Sequence, residues 1–97
     1  MNSKETIISA LRDVKDEIRR NYRVRELGLF GSVVRNEHDE ESDIDIMAEF
    51  DEDADLLDLM GLSIFLEERL QRKVDVVSKR ALRSEIQDAV LSEVAIV

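Results

Sequence analysis

Residues 43–50, DIDIMAEF, begin with acidic and apolar side chains in alternation, and this stretch decides the fold. Successive side chains of a β-strand point to opposite faces of the sheet. The alternation therefore predicts a strand that carries Asp43 and Asp45 on one face and Ile44 and Ile46 on the other. The isoleucine face belongs to a core. Two carboxylates this close repel each other and destabilise the fold unless a cation lies between them.

A third carboxylate, Asp75, joins the same prediction. It lies in residues 73–78, KVDVVS, whose valines indicate a mostly buried strand in which an unpartnered acid is costly. Mg²⁺ prefers oxygen ligands and completes its shell with water and phosphate. We predict that Asp43, Asp45 and Asp75 are metal ligands, and that three carboxylates on adjacent strands form a two-metal site. The alternative is that Asp43 and Asp45 only face solvent on an edge strand.

A glycine–serine turn precedes this stretch. Residues 24–30, VRELGLF, predict a buried strand, which Gly31-Ser32 ends ahead of a short helical segment. Backbone N–H groups of such a turn can face an anion, and Gly31 has no Cβ to block close approach. The Ser32 hydroxyl can add a phosphate contact. Arg35 either contacts phosphates or pairs with an acid of residues 37–43, and a plain turn without a ligand is the simplest alternative.

The rest of the chain predicts helices. Residues 3–20 have apolar positions at three- and four-residue spacing, with Ser3 as N-cap, and a last helix lies near the C-terminus. Residues 51–58 are interpreted as a solvated acidic linker. A helix with an apolar face follows it, formed by Leu56, Leu57, Met60, Ile64, Phe65 and Leu70.

Composition excludes several classes of function. The chain has no cysteine, which excludes disulfides, thiolate zinc sites and thiol nucleophiles and is compatible with a reducing cytoplasm. No stretch has the length of a membrane span or a signal peptide, so we expect a cytoplasmic protein without a membrane partner. The net charge of −9 argues against a nucleic-acid-coating surface.

The negative charge is concentrated in one part of the chain. Residues 37–58 hold twelve of the 23 acidic residues and no Lys or Arg, so the other residues carry a small positive excess. We call residues 37–58 the acidic belt. It suits a basic protein partner, since complementary charge accelerates encounter.

Residues 29–35, LFGSVVR, followed by 42–46, SDIDI, resemble the minimal nucleotidyltransferases of the DNA polymerase beta superfamily. Residues 72–77, RKVDVV, are similar to the strand that carries the family's third carboxylate, so the resemblance covers nearly the whole chain. It departs from the family pattern at Val34, where a small residue is usual, and at Asn36, where glycine is usual. Asparagine is the best non-glycine occupant of a left-handed conformation.

The resemblance implies a fold and a set of roles. The fold is the α+β minimal nucleotidyltransferase (polymerase beta-like) fold, a small mixed sheet of three to four strands packed against helices on one side, with residues 1–97 as a single domain. Asp43 and Asp45 would hold two Mg²⁺ ions, and Asp75 would bind the catalytic ion and help to activate the attacking hydroxyl. Gly31 and Ser32 would hold the triphosphate of ATP.

Members of this superfamily that have the size of this chain resemble the antitoxin half of HEPN/MNT toxin–antitoxin pairs. The resemblance implies transfer of AMP from ATP to a tyrosine of a HEPN ribonuclease and a stable complex with that toxin. Two alternatives are a non-catalytic antitoxin that neutralises by binding and transfer to a small molecule. The three acids favour an enzyme, and the enzymes with small-molecule acceptors carry an additional domain. Whether the chain also forms a homo-oligomer stays open.

Overall fold

The structure, a computed structural model, describes residues 4–31, 43–81 and 84–97. Within these ranges the chain forms four α-helices and the four strands of one sheet. Along the chain the elements are α1 (Lys4–Asp13), α2 (Lys15–Tyr22), β1 (Val24–Phe30), β2 (Ile44–Phe50), α3 (Leu56–Leu70), β3 (Val74–Ser78), a 3₁₀ turn (Lys79–Ala81), α4 (Ser84–Glu93) and β4 (Ala95–Ile96). No helix in the described ranges is long and apolar enough to cross a membrane.

The strands form a mixed four-stranded sheet in the order β3-β2-β1-β4. β1 pairs antiparallel with β2 and with the short edge strand β4, whereas β2 and β3 are parallel. The connection between the parallel strands contains α3, as a crossover between parallel strands requires. The predicted α+β fold with a small mixed sheet is confirmed.

The core lies between the sheet and the first three helices. Ile44, Ile46 and Ala48 of β2 are fully buried and belong to one cluster with Leu62 and Leu66 of α3. The alternation in residues 43–50 therefore has its predicted structural consequence, with alternate residues of β2 facing the core. Full burial of each large aliphatic side chain contributes about 1.5–3 kcal/mol.

The single helix predicted over residues 3–20 is wrong in one respect, because it is interrupted at Val14. The Val14 N–H donates to the Leu11 carbonyl over 3.2 Å, three residues back, and α2 starts at the next residue. Leu11 and Ile18 are both buried and are seven residues apart, the spacing that an uninterrupted helix would also give. Apolar spacing alone therefore does not reveal the break. Ser3, the predicted N-cap, lies outside the described residues.

The apolar face predicted for α3 is also wrong. Leu62 and Leu66 face the core, and Phe65 and Leu70 pack at its margin. Leucine and isoleucine occur on several sides of this helix, so their spacing does not distinguish the core face from the solvent face. The exposed members of the predicted face are Leu56, Leu57, Met60 and Ile64.

Candidate active site

The pairing of β2 with β3 brings two of the predicted carboxylates side by side. Asp45 and Asp75 are partners in the parallel register, and side chains at paired positions of neighbouring strands lie on the same face, about 4.8 Å apart along the sheet. Asp43 precedes β2 by one residue, two positions from Asp45. The next N–H, of Ile44, donates to the Lys73 carbonyl over 3.0 Å and fixes the start of β2 against β3.

The burial of the three carboxylates differs from the expectation in one case. Asp45 is half-buried, whereas Asp43 and Asp75 are exposed. The valines of residues 73–78 predict that Asp75 is buried at a cost in free energy. Its side chain is instead exposed to solvent on β3. A desolvation penalty therefore does not explain why an acid occupies this position. The parallel register with Asp45 is the observation that links it to a site.

Gly31 lies directly against the Asp45 side chain. Its φ of +78° is in the left-handed region, which glycine adopts without strain. A Cβ at this position would be 3.0 Å from Asp45 Cγ and would overlap Asp45 Oδ2. Both the backbone conformation and the space beside the carboxylate therefore require glycine. The end of β1 and the beginning of β2 form one corner, because Phe30 pairs with Asp45.

The other predicted phosphate-binding residues, Ser32 and Arg35, lie outside the described residues, as do Val34 and Asn36. Their roles stay predictions. Of the predicted phosphate-binding residues, Gly31 is the one that the structure describes. It lies at the same end of the sheet as the carboxylates.

The donor set suits Mg²⁺. In the ranges the structure describes, no three carboxylates or histidines are already arranged to hold a metal ion. Mg²⁺ does not need such a cage, since it commonly takes one or two carboxylates and fills its other positions with water and substrate phosphates. Oxygen ligands on one face of the sheet, at the corner where the Asp45 carboxylate packs against Gly31, fit an ion that is held jointly with a phosphate.

A groove of about 500 Å³ lies at the opposite end of the sheet. It is lined by Arg25, Glu49, Asp51, Lys79 and Arg80 among others, and contains none of the three predicted ligands. Two of its cations have carboxylate partners within the groove. Arg25 Nε lies 2.7 Å from Asp51 Oδ1, and Lys79 Nζ lies 3.9 Å from Glu49 Oε1. The groove is therefore not the site of the predicted chemistry.

Sequence reasoning missed the structural role of the acids in residues 51–58. The Asp55 side chain accepts from the Asp58 N–H over 3.1 Å, and the Asp58 carboxylate accepts from the Asp55 N–H over the same distance. These reciprocal bonds form a capping box at the start of α3. The signal was present in the sequence, because an N-cap acid with a second acid three residues later precedes an apolar run.

Known proteins resemble this chain along its length. The nucleotidyltransferase domain family matches residues 11–97. Protein adenylyltransferase MntA of Thermococcus cleftensis is 44% identical over 97 residues, which are 100% of this chain and 98% of that protein. A solved minimal nucleotidyltransferase superposes with a TM-score of 0.86 at 34% identity, covering 97% of this chain and 95% of that one.

A further solved structure, of a toxin–antitoxin with AMP-PNP, is similar at 26% identity and a TM-score of 0.69. The similarity covers 95% of this chain and 69% of the other. The matches to the family and to the Thermococcus relative are nearly full-length. The chain therefore belongs to the nucleotidyltransferase domain family, among the protein adenylyltransferases related to MntA.

Proposed function

We propose that this protein transfers AMP from ATP to a hydroxyl group. The reaction takes place at the end of the sheet where Asp43, Asp45, Asp75 and Gly31 lie. The observation that carries the proposal is the parallel register of Asp45 with Asp75, with Gly31 against the Asp45 side chain. Mg²⁺ bound there would neutralise charge on the triphosphate and polarise the α-phosphate.

The residues of the chain have distinct tasks in this reaction. The acceptor hydroxyl oxygen forms a bond to the α-phosphorus, and the bond from that phosphorus to the bridging oxygen of the β-phosphate breaks, so that pyrophosphate leaves. Asp75, which is exposed, accepts the hydroxyl proton or orients the hydroxyl. Asp43 and Asp45 would hold the two Mg²⁺ ions, and Asp75 would also bind the catalytic one. Gly31 lets the Asp45 carboxylate pack against the end of β1, and Gly31 with Ser32 and Arg35 would hold the triphosphate.

The proposed acceptor is a tyrosine of a HEPN ribonuclease, which makes this chain an antitoxin that acts by adenylylation. The resemblance of residues 29–35 and 42–46 to the antitoxins of HEPN/MNT pairs supports this choice. So do the name of the Thermococcus relative and the toxin–antitoxin similar in structure to this chain. ATP and a ribonuclease target place the reaction in the cytoplasm.

The test is to incubate the protein with ATP, Mg²⁺ and a HEPN ribonuclease from the same organism, and to measure the intact mass of that ribonuclease. We expect its mass to rise by one or more AMP groups on tyrosine. The increase should disappear with Asp45→Asn and with Asp75→Asn. Asp16→Asn, an exposed acid of α2 outside both the site and α3, is the matched control and should leave it unchanged.

An unmodified HEPN protein that is still neutralised by wild-type protein and by both site variants would overturn the proposal. That result would identify the chain as an antitoxin that acts by binding alone.

A further inference from the structure

The solvent face of α3 is apolar in its first two turns. Leu56, Leu57, Met60 and Ile64 are 67%, 75%, 52% and 58% exposed. Successive residues of a helix turn by about 100°, so these four side chains lie within an arc of about 100°. We call them the α3 patch. The arc is directly opposite Leu62 and Leu66, which are fully buried.

An exposed patch of this kind calls for an explanation. Single exposed apolar residues are ordinary on protein surfaces, but contiguous ones usually mark an interaction site. The other exposed large apolar residues in the described ranges, Leu91 and Ile96, are less exposed, at 38% and 46%, and belong to other elements. Leu56 also lines the groove at the end of the sheet, so the patch continues into a concave surface.

Acidic residues border the patch at both ends. Glu52 and Asp53 are exposed just before α3, and Glu68 is exposed one turn beyond Ile64. On an antiparallel pair of α3 helices centred on Met60, residue 52 would lie opposite residue 68, so that two glutamates would meet. A parallel pair would bring each acid against its own copy. Like charges therefore oppose a second copy of this chain, and a partner with basic residues is favoured.

We infer that the α3 patch is the docking surface for a protein partner whose contact surface presents apolar side chains bordered by Lys and Arg. The identification of that partner as the HEPN ribonuclease rests on the proposed function. Apolar anchors at the centre with charged residues at the rim are the usual arrangement of protein interfaces.

Docking on α3 is separate from the chemistry. The helix packs against the sheet face that carries Ile44 and Ile46, whereas Asp45 belongs to the opposite face. A partner held on α3 must therefore extend a segment around the edge of the sheet to present its hydroxyl. Substitutions in the patch should weaken the complex without changing the ATP site.

The experiment compares three proteins by isothermal titration against a HEPN ribonuclease from the same organism. These are wild type, a Leu57→Ser/Ile64→Ser double variant, and a Leu91→Ser control on α4. We expect the dissociation constant of the double variant to rise about 30-fold or more, because truncated central anchors dominate binding. The control should bind within about threefold of wild type. Mg²⁺-dependent ATP binding and the far-UV circular dichroism should match in all three proteins.

Wild-type affinity of the double variant would overturn the inference, as would equal losses in the double variant and the control. Sedimentation of the chain alone as a dimer that Leu57→Ser/Ile64→Ser dissociates would also overturn it, because the occupant would then be a second copy. Failure of the proposed function has a different signature. In that case wild type binds the HEPN protein through the patch but adds no AMP to it.

Discussion

The two faces of β2 differ in what their residues do. Ile44 and Ile46 are fully buried and hold the sheet against α3, while Asp45, between them, is half-buried on the other face next to Gly31 and Asp75. In the proposed function, one strand thus serves stability and chemistry with alternate residues. Substitutions of Ile44 or Ile46 should therefore lower the melting temperature, whereas substitutions of Asp45 should lower the rate of AMP transfer.

The largest expected effect is on the carboxylate face. Asp45→Asn removes a charge that holds the metal in the proposed mechanism, while keeping the shape of the side chain. We expect the initial rate of AMP transfer to fall by about 1,000-fold, the upper range for losing one group that stabilises a charged transition state. The melting temperature without ATP should not decrease, because like charges no longer face each other. Asp16→Asn, an exposed acid of α2, serves as the control with an unchanged rate.

The core face should show the reverse. Ile46→Ala leaves a cavity among fully buried side chains, and we expect the free energy of unfolding to fall by about 2–5 kcal/mol. Urea denaturation followed by circular dichroism measures it. Val77→Ala, a half-buried valine of β3 one position from the core-facing Val76, should cost much less. Equal losses from both variants would show that the two faces are not as distinct as described.

Much of this comparison could be predicted from sequence, and the failures have physical causes. The period of residues 43–50 specified which side chains of β2 face the core, since a one-residue shift would exchange the two faces. The core face of α3 could not be predicted in the same way, because leucine and isoleucine occur on both its buried and its exposed sides. The break at Val14 occurs within an unchanged apolar period. β4, with Ala95 and Ile96 only, is too short for a periodic signal.

For the site, the three acids and Gly31 were identified by pattern and resemblance, but their spatial relation needed the sheet register. Asp75 follows Asp45 by thirty residues, and only the parallel pairing of β2 with β3 shows that they are neighbours. The predicted burial of Asp75 is wrong. The two faces of an edge strand can differ in solvent exposure, although the valines of both faces form a single apolar run in the sequence.

Gly31→Ala tests the contact between the strand end and the carboxylate. We expect a loss of about 1–3 kcal/mol in the free energy of unfolding, because alanine is strained at φ +78° and its Cβ meets the Asp45 side chain. In an Asp45→Ala background the same substitution should cost less, since Oδ2 and Cγ are then absent. A cost that is identical in both backgrounds would assign the whole effect to the backbone conformation.

The smallest expected effect lies away from both faces, at the start of α3. Asp55→Ala removes the N-cap acceptor for the Asp58 N–H, which costs about 1 kcal/mol and lowers Tm by several degrees. The rate of AMP transfer measured well below Tm should be unchanged. Glu52→Ala is the control that should leave Tm unchanged, being exposed and outside the capping box.

The most direct measurement of the central claim, that the carboxylate face performs nucleotidyl transfer, is the fate of the phosphates of ATP. Wild-type protein is incubated with the HEPN protein, Mg²⁺ and ATP labelled at either the α- or the γ-phosphate, with Asp45→Asn in parallel. The account predicts that the α-label alone appears on the HEPN protein, that pyrophosphate carries the γ-label, and that Asp45→Asn gives neither product. Transfer of the γ-label, or undiminished α-label with Asp45→Asn, would contradict it.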